Sequence, residues 1–119
     1  MKSKDRILIH RIIRHAGEIR SYIAGLDADA FLQDGKTISA CAFVLGQIGE
    51  LAKSVDPATQ AMHPDIPWKS MKGLRNRIVH EYENVDMTVL WGIVSRSIPE
   101  LETKLASMLT DDEGRNPDR

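Results

Sequence analysis

Apolar residues recur at helical spacing along almost the whole chain. From Asp5 to about Gly25 they fall at Leu8, Ile12, Ala16, Ile19, Ile23 and Leu26, with Ile9 and Ile13 widening the stripe, which predicts a first helix. LDADAFLQDGK breaks it, its Asp and Gly residues supplying turn chemistry. A second helix is predicted from about Lys36 to Ser54, ended by Asp56-Pro57. Its TISACAFVLGQIGELAK is apolar over much of its circumference, so it is expected to be the most buried element. ATQAMHPDIPW reads as a connector, with Pro67 placed to open a third helix over Trp68 to Tyr82. The next turn is Glu83-Asn84-Val85-Asp86, where Asp86 suits an N-cap. A fourth helix follows from Met87 to about Leu109, and Pro99 should kink it near Ser97 by removing a backbone donor. No β-alternation or internal repeat competes. The expectation is an all-α bundle of four main helices, with one domain over 1–109 and a flexible polar tail over 110–119.

Composition narrows the class rather than the function. A chain of 119 residues is one domain by length, and 42% apolar against 28% charged residues fits a folded core. The apolar runs are short and broken by charges, so none is expected to span a bilayer. MKSKDRILIHRIIRH carries charges inside its apolar pattern, unlike a signal peptide. Cys41 is the only cysteine, so no disulfide framework is expected and a cytoplasmic setting is. The four histidines, His10, His15, His63 and His80, have no ligand spacing for a catalytic metal.

The net charge of −1 hides an uneven distribution. Residues 1–20 carry six Lys/Arg against Asp5 and Glu18, and residues 69–82 carry Lys69, Lys72, Arg75 and Arg77 against Glu81. The other two segments are acidic. Folded together, the basic segments would attract phosphates; apart, each is a solvated helix face.

The chemistry concentrates in RNRIVHEY, residues 75–82. With Leu74 at zero and about 100° per residue, Leu74, Ile78, Met71, Tyr82, Arg75 and Val79 share one arc. Gly73, Asn76 and His80 share another, at i, i+3, i+7. Arg75 among apolar residues must snorkel or find an anion. Gly73 weakens a helix by about 1 kcal/mol relative to Ala, a cost that makes sense where another helix approaches closely. Arg75 and His80 stand about 140° apart, so they do not share one face of a straight helix. A two-fold pairing of this helix with its copy would bring two of each into one cleft. The pattern is equally that of an interface histidine bonded to Asn76, with Arg75 bridging to an acid such as Glu50. Trp68 and Trp91 read as core anchors, Cys41 as packing, and Lys69, Lys72 and Arg77 as candidate phosphate-steering cations.

A longer pattern separates these alternatives. IPWKSMKGLRNRIVHEY, the acidic turn, VLWGIVSRSIPEL and the upstream QIGELAK together resemble the HepT-like ribonucleases of the HEPN superfamily, over roughly residues 5 to 107. These are the toxin halves of type VII HEPN/nucleotidyltransferase toxin–antitoxin pairs. The family signature, an Arg, a polar residue, three more positions and then His-x-Tyr, is met by Arg75, Asn76, His80 and Tyr82. The resemblance implies a HEPN bundle that homodimerises with its signature helices lining a shared cleft, and a metal-independent endoribonuclease acting on RNA such as tRNA or mRNA without a cofactor. It implies that Tyr82 accepts an adenylyl group from a partner nucleotidyltransferase, which silences the toxin. The residue types suit that chemistry. His80 can move a proton at neutral pH, Arg75 offers a permanent fork for charge on phosphorane oxygens, and Asn76 can orient the imidazole or bond the phosphate. The alternative is a non-catalytic HEPN subunit that docks a nucleotidyltransferase and helps hold its nucleotide or substrate.

Overall fold

A computed structural model describes residues 1–84 and 86–115, the side chains of 81–84 and 115 excepted. All regular structure among them is helical: α1 Ser3–Tyr22, α2 Ala28–Leu32, α3 Gly35–Lys53, α4 Pro57–Met62, α5 Trp68–Lys72, α6 Leu74–Asn84, α7 Met87–Gly92, a π turn Ile93–Ser97, and α8 Ile98–Arg115. α3 lies at the centre, with α1 on one side and α5 and α6 on another, while α8 returns along α1.

The stripe read from sequence in the first helix is the one buried: Leu8, Ile9, Ile12, Ala16 and Ile19. The helix stops at Tyr22, and Gly25, at φ 79°, turns the chain through the left-handed region. The expected break then contains a helix of its own. Asp27 accepts from the Ala30 N–H at 2.8 Å to cap α2, whose Phe31 is fully buried and packs on Trp91 with ring centroids 5.1 Å apart. Asp34 caps α3 through the Thr37 N–H at 3.1 Å and accepts from the Thr37 hydroxyl at 2.7 Å, and these bonds hold its carboxyl below the usual range.

The expected connector after α3 likewise holds a short helix. Pro57 opens α4, and the buried carboxylate of Asp5, reaching over from α1, accepts from the Asp56 N–H at 3.2 Å and the Thr59 hydroxyl at 2.6 Å. Pro67 precedes α5 as its cap rather than its first residue. The predicted third helix is interrupted at Gly73, which ends α5 at φ −88°, ψ −1°, while its carbonyl starts the α6 ladder from the Arg77 N–H at 3.0 Å. Cys41 is buried packing, and burial pushes its thiol up to about 11.

The kink expected from Pro99 takes the form of the π turn. Pro99 has no N–H to give and its ring crowds the carbonyl of Ser95, so the helix widens just before it. The Ser95 hydroxyl donates to the Trp91 carbonyl at 2.6 Å inside this segment. α8 then continues six residues past the boundary expected at Leu109, to Arg115. The reason is a contact the polar composition conceals. Asp112 is buried and accepts from Arg6 and the Met1 ammonium, and Arg6 also meets Glu113 at 2.7 Å. Burial alone would raise the Asp112 carboxyl, but these bonds hold it below the usual range. Residues 116–119 lie outside the described residues. Among those described, no helix is long and apolar enough to cross a membrane.

Candidate active site

α6 stands as a ridge between two depressions. Its buried side is Leu74 and Ile78, each 7% exposed. One flank, with Arg75 and Val79, forms a groove of about 480 Å³ with Ala42, Phe43, Gly46, Gln47 and Glu50 of α3. The opposite flank, with Arg77, faces the π turn and α8. Asn76 and His80 are exposed and line neither depression, which puts them on the crest. The separation of Arg75 from His80 expected from the wheel is therefore present: one chain presents the cation at a groove edge and the imidazole on top.

Arg75 is not adrift in the groove. Its Nη1 lies 3.6 Å from Glu50 Oε1, and Lys53 donates to the same oxygen at 3.3 Å. Both members of the Arg75–Glu50 pair are largely solvated, so it orients the guanidinium more than it stabilises the fold. Of the phosphate-steering candidates, Lys69 and Arg77 are exposed, whereas Lys72 is half-buried and donates to Gln60 Oε1 at 3.1 Å. Tyr82 lies on α6, but its side chain is outside the described residues. Trp68 is a core anchor, donating its indole N–H to the His63 carbonyl at 2.9 Å.

Two residues that matter to this geometry do not stand out in the sequence. Close approach is expected there at Gly73, yet a Cβ on Gly73 would meet only carbonyls of its own helix, at 3.5 and 3.8 Å. The close approach within the chain belongs to Gly49. A Cβ on Gly49 would lie 3.0 Å from the Met71 carbonyl oxygen and 3.7 Å from the Arg75 nitrogen, so α3 touches the α5–α6 junction backbone to backbone. This seats Glu50 opposite Arg75. Because the obstructing atom is backbone, Gly49→Ala is expected to cost about 1–3 kcal/mol, read as a lowered urea midpoint with unchanged slope; an unshifted midpoint would refute the tight seat.

The other is Phe43, 68% exposed on the central helix, with Val79, 52% exposed, facing the same groove. A wheel drawn for α3 would have found it, since Phe43, Gly46 and Glu50 run at i, i+3, i+7, off the arc of Ile38, Val44, Leu45 and Ile48. Among the described residues no group of three or more His, Cys, Asp or Glu side chains is disposed to hold a metal ion.

A family model described as ribonuclease HepT-like matches residues 12–108. A protein of Thermococcus cleftensis named probable ribonuclease HepT is 32% identical over 91% of this chain and 98% of its own. A Methanocaldococcus jannaschii protein provisionally named an RNase is 29% identical over 98% of this chain and 97% of its own. A similarly named Caldanaerobacter subterraneus protein is 28% identical over 92% and 96%. No solved structure gives a significant match.

Proposed function

Because the chain belongs to the HepT-like ribonuclease family, we propose that it is a metal-independent endoribonuclease whose active site is completed by a second copy of the chain. The observation that carries this reading is the arrangement along α6: Arg75 at the edge of an apolar-lipped groove, with Asn76 and His80 on the adjoining crest. Exposed Phe43 and Val79 give that groove the surface a second copy would cover. When two ridges pack about a two-fold axis, His80 of one copy meets Arg75 of the other.

The reaction needs only what RNA and these side chains bring. The 2′-oxygen attacks the adjacent phosphorus, the bond to the 5′-oxygen breaks, and a cyclic 2′,3′-phosphate and a 5′-hydroxyl result. His80 takes the proton from the 2′-hydroxyl or delivers one to the departing 5′-oxygen. Arg75 meets the charge that builds on the non-bridging oxygens, and Asn76, one turn before His80, steadies the imidazole or the phosphate. The protein acts as the toxin of a toxin–antitoxin pair. A partner nucleotidyltransferase transfers an adenylyl group from ATP to the Tyr82 oxygen, with pyrophosphate leaving, and the added anion repels RNA from the site.

One assay tests the whole reading. The purified protein is expected to cut single-stranded RNA in EDTA, leaving cyclic phosphate ends, and to spare a strand carrying a single 2′-deoxy substitution at the cut. Incubation with ATP and the cognate nucleotidyltransferase should silence the wild type but not Tyr82→Phe, which still cleaves. Cleavage of the 2′-deoxy strand, or a requirement for added metal, would overturn the mechanism.

A further inference from the structure

The basic residues of the molecule divide into two populations. Those of α1 and the residues before it are largely consumed within the fold: Lys2 meets Asp56 at 2.9 Å, Arg6 meets Asp112 and Glu113, and Arg20 meets Glu102 at 3.0 Å. Of the two readings open for the basic segments, these pairings favour separate helix faces over one shared phosphate-attracting surface.

The far flank of α6 is different. A cleft of about 230 Å³ beside α5 and α8 and another of about 400 Å³ beside α7 share Arg77, Ile93, Ser97 and Glu100, so they form one furrow. Three cations, Arg77, Arg96 and Lys104, line it against the single carboxylate of Glu100. Among the described residues neither Arg77 nor Arg96 forms an ion pair, although Glu100 lines the same furrow. Arg96 is exposed, and its guanidinium lies beside Gly92 one turn back, where an added Cβ would come within 3.5 Å of its Nη2. Lys104 is steadied by the Asp65 carbonyl at 3.4 Å. Hydroxyls of Ser70, Ser97 and Thr88 punctuate the lining. The furrow begins beside the crest, because Arg77 and His80 are i, i+3 neighbours with Cβ atoms about 5–6 Å apart.

We propose that this furrow is a second phosphate track, which takes the RNA backbone on one side of the cleaved bond. The proposal rests on the ribonuclease reading and adds how the strand is held. Guanidinium forks match non-bridging phosphate oxygens in pairs, and hydroxyls complement both phosphates and ribose. A protein partner is the less suited occupant. The large exposed apolar side chains among the described residues are Ile7, Tyr22, Leu32, Phe43, Met62 and Val79, and none lines the furrow, whereas protein interfaces are anchored by such groups.

The test uses the full chain carrying His80→Ala, so that RNA survives, and measures anisotropy of a labelled single-stranded RNA against salt. Removing one cation that neutralises a phosphate should lower the slope of log affinity against log salt by about 0.7. Arg96→Gln with Lys104→Gln is therefore expected to reduce the slope by roughly 1.4 and to weaken binding several-fold at low salt. Arg96→Lys should keep the slope, and Arg11→Gln, at an exposed α1 position that does not line the furrow, should change nothing. In the cleavage-competent chain the double variant should raise KM. Circular dichroism checks that each variant remains helical. If the double variant binds RNA with the parent's affinity and slope, the track is refuted while the ribonuclease reading stands. If it keeps RNA binding but loses a cognate nucleotidyltransferase, the furrow is a protein-docking surface and the proposal is likewise overturned. If the His80→Ala parent does not bind RNA and the chain with His80 intact does not cut it, both readings fall.

Discussion

His80→Ala is expected to slow RNA cleavage by about 10²–10⁴-fold, the usual loss when a positioned proton-transfer group is removed, while leaving the helical content and the proposed dimer unchanged. The side chain is exposed on the α6 crest, so truncation opens no cavity in the core. Arg75→Ala should cost about 10²–10³-fold through reduced stabilisation of transition-state charge. Its partner Glu50 is well solvated and tolerates the change. Neither result alone says that the site is shared between copies. Mixing the two inactive variants does. If Arg75 of one copy works with His80 of the other, a mixed dimer contains one intact site and one lacking both groups. Half of a randomly reassorted population is mixed, so about a quarter of wild-type activity should return. No recovery after verified subunit exchange would mean that each chain supplies a whole site. Undiminished cleavage by the single variants would remove the assignment of these residues altogether.

Phe43→Glu is expected to break the proposed dimer. A large aromatic at the centre of an interface commonly contributes about 2 kcal/mol or more, a weakening of roughly thirtyfold or greater, and a carboxylate taken out of water there adds a desolvation cost. The ring is 68% exposed in the single chain, so its removal should leave the thermal midpoint of the monomer nearly unchanged. The variant should elute as a folded monomer in size-exclusion chromatography with light scattering. Its activity should be low when dilute and recover steeply with protein concentration. A variant that elutes and cleaves as the wild type does would show that the groove beside Arg75 is not where copies meet.

The long helices are legible because a stripe repeated over several turns leaves little doubt about which side is buried, and the apolar residues buried along α1 are among those its period marks. α2 and α4 are not. Five and six residues hold too few turns to show a period, and what orders them is distant: Trp91 against Phe31, and the buried Asp5 carboxylate at the start of α4. The segregation of Arg75 from His80 is legible from spacing alone, and so is the disturbance before Pro99, though not the form it takes. Glycine is the ambiguous letter. Gly73 and Gly49 each remove a side chain, but only the packing of α3 on the α5–α6 junction tells which of them brings two backbones of the same chain together. The ends of the chain mislead for a related reason, since Asp112 looks like solvated tail until Arg6 is seen beside it.

The π turn has a geometric effect beyond accommodating Pro99. It holds one residue more than an α turn, so everything after it is rotated by about 100° from where an unbroken helix would have put it. A single rod thereby serves two neighbours out of phase: Trp91 of α7 packs on Phe31, while α8 turns toward α1. The segment works as a phase shifter, and its length cannot be trimmed by one residue without swinging one of those two faces into water.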